Sequence, residues 1–170
     1  MDRFHEIDIN TLPDNVFKLL DDDWMLITAG PLAHYNTMTA SWGGFGILWN
    51  RKICWCVIRP QRYTYQFMEN APAFSLSFFT DAYRAALDLC GSKSGRELDK
   101  AAAAGLTPFE TSPGVVSFTQ ARLIIECQKI YYHDIDPQRF LDPTIDDEYP
   151  IQDYHRMYLG EVKRCLCAAL

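Results

Sequence analysis

An antiparallel β-barrel carrying a few added helices is the fold class that the sequence predicts. Three observations predict it. Strand-like runs rich in Trp, Ile, Val, Thr and Cys are spread along the chain and closed by Gly, Pro or Asn. The helix-like segments are short and few. Strands and helices also lack the regular alternation that a doubly wound sheet requires. No repeat and no Gly- or Ser-rich linker divides the chain, so residues 1–170 read as one domain.

The elements follow in order. After an extended start, "TLPDNVFKLL" reads as a short helix, with Thr11 as a possible cap and Pro13 in its first turn. The acidic run Asp21 to Asp23 ends it. Trp24 to Ala29, Asn36 to Ser41 and Lys52 to Ile58 are expected strands. "TYQFMEN" suits one or two helical turns, and "FSLSFF" a strand. "DAYRAALDLCG" places Ala82, Ala85, Ala86 and Leu89 at helical spacing between Asp81 and Gly91. "SGRELDKAAAAG" reads as another helix, with Ser94 and Glu97 as a capping box and Gly105 as its stop. Leu123 to Tyr132 alternates with apolar residues on both faces, a strand with substantial burial. "QRFLDPTIDDEYPIQD" is a proline-broken loop, and Arg156 to Cys167 a last long strand, although "GEVKRCLCAAL" also tolerates a helix.

Composition narrows the function. With 48% hydrophobic and 14% aromatic residues the chain is not disordered, and 170 residues suffice for one sizeable core. Sixteen basic against twenty-two acidic residues leave a formal charge of -6, which argues against a nucleic-acid or anionic-membrane binder. No secretory signal is legible, and no apolar run approaches the roughly eighteen residues of a membrane helix. The six cysteines are then expected as reduced, packed thiols in a cytoplasmic protein.

Two stretches offer chemistry. "NTMTASWGG" replaces packing residues by hydroxyls, an amide and glycines, where Asn36, Thr39 and Ser41 can donate to a planar heteroaromatic ligand and Met38 and Trp42 can pack near its ring. An edge strand leading into a glycine turn also accounts for the same residues. "VIRPQRYTYQ" sets Arg59 and Arg62 beside Tyr63 and Thr64, a set able to grip a phosphate at a helix start, or else two solvated arginines. Lys93, Arg96 and Lys100 flank a glycine-bounded helix start, but neither a P-loop nor a Rossmann fingerprint is present. Cys54, Cys56, Cys165 and Cys167 form C-x-C pairs without zinc-knuckle geometry, so no metal is expected. His155 and Arg156, in "DYHRMY", suit either ligand contact or packing; Glu126 and Glu161 suit ion pairs at core edges. No triad or paired catalytic carboxylates are visible, so no catalytic side chain is assigned.

Taken together, "WMLITAG", "NTMTASWGGFGILW", "IRPQRYTY", "FSLSFF", "CGSKSGRELDKAAAAGLTP", "ARLIIECQKIYYHD" and "DYHRMYLGE" resemble the flavin reductase-like proteins, in particular their flavoredoxin-type branch. The resemblance implies an FMN-binding split barrel of six antiparallel Greek-key strands, working as a homodimer with FMN near the subunit boundary. It implies that Thr39, Ala40 and Ser41 meet the isoalloxazine and ribityl chain, with Asn36 and Met38 shaping the same wall. Arg59, Arg62, Tyr63 and Thr64 are implied to surround the phosphate, Phe79 to pack close to the flavin, and Ser94, Gly95 and Lys100 to form the rim. The implied activity passes electrons from NADH or NADPH through FMN to a flavin or another acceptor. The alternative is a flavoredoxin-like electron carrier that trades electrons with a protein partner.

Overall fold

A computed structural model describes residues 3–169. Its strands are β1 (Phe4–Glu6), β2 (Met25–Ala29), β3 (Asn36–Ala40), β4 (Gly43–Leu48), β5 (Arg51–Ile58), β6 (Ala73–Phe78), β7 (Pro108–Ser112), β8 (Val115–Phe118), β9 (Leu123–Asp134) and β10 (Arg156–Ala168). Its α-helices are α1 (Val16–Lys18), α2 (Tyr63–Asn70), α3 (Arg84–Ser92) and α4 (Lys100–Ala103). Eight strands form one antiparallel sheet in the order β3-β2-β6-β9-β10-β5-β4, with β1 added to β10, and β7-β8 is a separate hairpin.

The connection between the sheet's two outer strands dictates its shape. Laid flat, the ends of this seven-strand path would stand roughly 29 Å apart at about 4.8 Å per strand. Yet β3 is followed by β4 after only Ser41 and Trp42, a link that spans at most about 11 Å. The sheet must curl until its edges meet, and Gly43 accordingly lies where a Cβ would come within 3.2 Å of Met25 Cε. This is a mainly β split barrel with short added helices, its sheet enlarged beyond the six strands expected.

The interior is filled by alternate residues of the long strands, among them Met25, Ile27, Met38, Phe74, Phe78 and Tyr158. A second cluster on the outer face, including Leu26, Phe79, Leu87 and Phe118, explains why β2 is buried on both faces. Gly160 in β10 yields its space to Phe74, whose Cζ would sit 2.7 Å from an added Cβ. Cys54, Cys56, Cys127 and Cys165 are packed in the same interior, and all six cysteines are free thiols. Glu126 pairs with Arg164 at 3.1 Å, and Glu161 with Arg51 at 2.7 Å.

The first helix begins later than its sequence suggests. Asp8 caps a 3-10 turn at Ile9–Thr11, and the Asn15 side chain, not Thr11, accepts from the amides of Phe17 and Lys18. The helix expected from Ser94 is shorter than "SGRELDKAAAAG" implies. Ser94 Oγ accepts only from the Arg96 amide at 3.2 Å, and the Asp99 carboxylate caps α4 instead. Helix α3 continues through Gly91 to Ser92. Strand β4 went unread because Gly43 and Gly44 look like a turn. Gly44 in fact lies flat against the Trp55 indole, where a Cβ would be 2.3 Å from Nε1. Trp49 and Asn50, at φ 52 and 56, then close a two-residue hairpin into β5.

Candidate functional site

The cleft forms where the barrel closes. Strand β3 delivers Met38, Thr39 and Ala40 to one wall, and the Ser41–Trp42 crossover continues it. Opposite, β5 contributes Val57 near its end and releases Arg59, while Pro60 directs the chain toward Arg62 at the start of α2. His155, just before β10, completes a cavity of about 210 Å³. Among the described residues β3 pairs with no strand but β2, so its other edge is not taken up by a strand ladder.

The two arginines have different surroundings. Arg59 Nη1 donates to both Asp153 oxygens at 2.9 and 2.8 Å, and its Nη2 donates to the Glu148 carbonyl at 2.9 Å. Arg62 Nη2 is buried and has no hydrogen-bond partner among the described residues. Burial pushes the Arg62 guanidinium below its usual range, and the charge of Arg59 adds to the effect. Lys100 is also buried, donates to the Cys90 carbonyl at 3.0 Å, and is pushed down to about 8 by burial, with Arg62 contributing. Neither Arg62 nor Lys100 forms a salt bridge among the described residues.

His155 shares this environment. Its Nδ1 is 2.9 Å from the Tyr149 hydroxyl and its ring lies 5.1 Å from that of Trp42. Burial, then Arg59, pushes it down to about 4, so the imidazole is neutral at pH 7. Asp153, by contrast, is held below the usual carboxylate range by the Arg59 guanidinium.

Of the residues singled out from the sequence, Met38, Thr39, Ala40, Ser41, Arg59 and Arg62 meet in this cleft. Asn36, Tyr63, Gly95 and Lys100 line a neighbouring cavity of about 410 Å³. Thr64 is buried behind them and accepts from Asn36 Nδ2 at 2.7 Å. Gly95 is required there, since a Cβ would stand 2.0 Å from Asn36 Oδ1. Ser94 sits in the adjoining turn. Phe79 lines neither cavity and packs with Phe118 and Tyr83 in the outer cluster. Arg156 is paired with Asp134 and Glu69 instead of facing the cleft. Asp153 was missed: it lies ninety-four residues from Arg59 in a segment that reads only as loop, with no local signal of the pairing.

A barrel closed beside a small-residue edge strand, with Arg62 Nη2 unpartnered among the described residues, agrees with the family comparison. The family described as flavin reductase like domain matches residues 22–169. The chain belongs to that family. Membership carries a general flavin-linked redox function. No curated protein matches the chain.

Solved structures agree on the fold. An FMN-binding domain of a flavin reductases-like enzyme from Shewanella baltica is 18% identical, with a TM-score of 0.71, over 98% of this chain and 78% of that one. Flavoredoxin of Desulfovibrio vulgaris is 22% identical, with a TM-score of 0.64, over 91% and 74%. An NADH:FAD oxidoreductase from Streptomyces globisporus, solved with NAD and FAD fragments, is 15% identical, with a TM-score of 0.62, over 84% and 73%. Among the described residues, no helix is long and apolar enough to cross a membrane.

Proposed function

We propose that this family member is an FMN-dependent oxidoreductase that passes electrons from NADH or NADPH through FMN held in the cleft to a flavin or another acceptor. The observation that carries the reading is Arg62 Nη2, a buried donor with no partner. An unmet buried charge is costly unless something supplies its acceptor. A phosphate monoester does so with charge-assisted hydrogen bonds, and Lys100 nearby adds to the positive field. The residues present therefore fit the phosphate end of FMN.

The remaining wall fits the ring. Backbone groups of β3 and the Ser41 hydroxyl can meet ring carbonyls and the ribityl chain, while Thr39 Oγ1, which donates to the Leu87 carbonyl, can still accept from a ligand donor. Met38 and Trp42 supply apolar contact and exclude water. Asn36 and Thr64, bonded to each other, tie β3 to the first turn of α2 and so fix the distance between ring wall and phosphate end. Bound FMN accepts a hydride and releases electrons singly or in pairs. The chain has to orient, desolvate and hold charge; neutral His155 presents no competing cation at the ring wall.

A homodimer is part of the proposal. An apolar groove of about 520 Å³, which includes Phe17, Trp55 and Met157, shares Ser41, Trp42 and Val57 with the cleft. Phe17 is 83% exposed and Trp42 44%, apolar surface that a second copy would cover beside the flavin. A reducing, cytoplasmic setting is also proposed, because all six cysteines are free thiols and five of them are buried.

The names of the similar proteins support the reading: one is an FMN-binding domain and another an NADH:FAD oxidoreductase. The test is an FMN titration by fluorescence, followed by anaerobic addition of NADH or NADPH. We expect stoichiometric FMN binding and rapid bleaching of the flavin band. Failure to bind FMN overturns the proposal. Bound flavin indifferent to both nucleotides would assign the chain instead to the electron carriers, as flavoredoxin is named.

A further inference from the structure

Arg59 and Arg62 look equivalent in "RPQR", yet one is ion-paired and the other is not, among the described residues. Arg59 spends Nη1 on both oxygens of Asp153 and Nη2 on the Glu148 carbonyl, and lies 5.1 Å from the Tyr149 ring centroid. All three partners belong to the segment between β9 and β10. That segment is otherwise built of short turns: Pro137–Arg139, Pro143–Glu148, and a left-handed Gln152 at φ 55. Gln61 adds a second donor to Asp153, from the same strand-to-helix link that carries Arg59. Tyr149 then holds His155 Nδ1 at 2.9 Å, and His155 packs on Trp42. A continuous chain of contacts thus runs from Arg59, through the segment, to the ring wall of the cleft.

We propose that the two arginines divide their work: Arg62 alone grips the flavin phosphate, while Arg59 and Asp153 form a clasp that holds residues 136–154 against the cleft and thereby positions His155 and Trp42. This rests on the flavin reading above. A phosphate that took Arg59 would compete for a guanidinium whose charge Asp153 already neutralises through two hydrogen bonds, and among the described residues the only other side-chain donor to Asp153 is Gln61. Removing one partner of a buried ion pair leaves the other uncompensated. A phosphate on Arg62 displaces no ion-pair partner and can satisfy a donor that is unpaired among the described residues. Arg59 is accordingly a positioning residue, and its positive field reaches the ligand without a direct bond.

The experiment compares FMN with riboflavin, which lacks the phosphate, in wild type, R62A, R59Q and D153N, and adds limited trypsin digestion of each flavin-free protein. R62A is expected to lose roughly 10- to 100-fold in FMN affinity, the loss of a charge-assisted bond, with riboflavin binding unchanged. R59Q and D153N, two independent breaks of one clasp, should weaken both flavins by a common factor. Both should also speed cleavage after Arg139, which lies on the surface but is held in a folded 3-10 turn, a readout that needs no flavin at all. Two results would overturn the proposal: R59Q losing FMN selectively with the segment uncut, or D153N binding FMN selectively more tightly because Arg59 has been freed. A wild-type protein that takes neither flavin overturns the function itself, and the digestion then decides the clasp.

Discussion

Two groups of basic side chains lie on this barrel, and their surroundings push them in opposite directions. At the outer half of the β9–β10 ladder, Arg156 donates through Nε and Nη2 to Asp134 at 2.6 and 2.8 Å and through Nη1 to Glu69 at 2.9 Å. The Tyr132 and Tyr65 rings flank it at 4.7 and 5.5 Å. These partners, Asp134 first, raise the guanidinium above its ordinary value and hold Asp134 below the usual carboxylate range. In the cleft and the cavity beside it, Arg62, His155 and Lys100 are all pushed down, each by burial first. The direction separates two kinds of cation. Where the fold has already supplied acids, the charge is favoured and holds strands together. Where it has supplied only burial, the charge is costly to the protein alone and is kept for something that arrives.

The largest effect expected from this contrast is at His155. Its folded value, about 4, lies below its ordinary 6.5. Between those two values the unfolded chain binds a proton that the folded chain excludes, so the histidine's contribution is complete above pH 6.5 and is lost as the pH falls toward 4. The loss amounts to up to about 3 kcal/mol. Urea unfolding at pH 7 and pH 4.5 should show it, and H155F should remove most of the difference. An equal acid loss in H155F would assign it to carboxylates such as Asp153 and break the contrast.

Next in size are opposite changes at the two arginines. R156A should destabilise the protein by about 2 kcal/mol, since it strips Glu69 and Tyr158 of their neighbour and two rings of their cation. Partial exposure of Asp134 keeps the figure below that of a fully buried pair. R62M should instead stabilise the flavin-free protein by about 1 kcal/mol, because it removes an unmet buried donor while keeping the packing of the stem. Denaturant midpoints of both variants check the pair. Destabilisation by R62M would mean that Arg62 works for the fold and not for a ligand.

How far the sequence carried this account depends on the range of the interaction. The strands from Met25 to Ala29, Asn36 to Ala40 and Arg156 to Ala168 were legible because side-chain type and alternation report them locally. So was the concentration of Arg59 and Arg62 beside Thr64. Strand β4 was not, because Gly43 and Gly44 are there for the indole of Trp55, a partner across the sheet. The capping box at Ser94 and Glu97 failed because Asp99 competed for the cap and won a later start. Above all, two arginines alike in sequence could not be told apart until Asp153 was placed against one of them. Placing Phe79 in the outer cluster likewise depended on Phe118 and Tyr83.

The smallest effect concerns Lys100, and it sharpens the contrast by titration. With a value of about 8 against its ordinary 10.5, Lys100 is largely protonated at pH 7 and largely neutral at pH 9. An FMN phosphate, already a dianion above its second ionisation near 6, favours the protonated amine. Binding above pH 8 must therefore take up a proton, so affinity falls as pH rises. The loss between pH 7 and pH 9 should be several-fold and less than about tenfold, one charge acting without direct saturation of the phosphate. K100Q should bind more weakly than wild type at pH 7 but show no such slope. Fluorescence titration of FMN at pH 7, 8 and 9 in both proteins measures it directly. A wild-type affinity flat across that range would mean that Lys100 stays out of the phosphate's field, leaving Arg62 as the cleft's sole reserved charge.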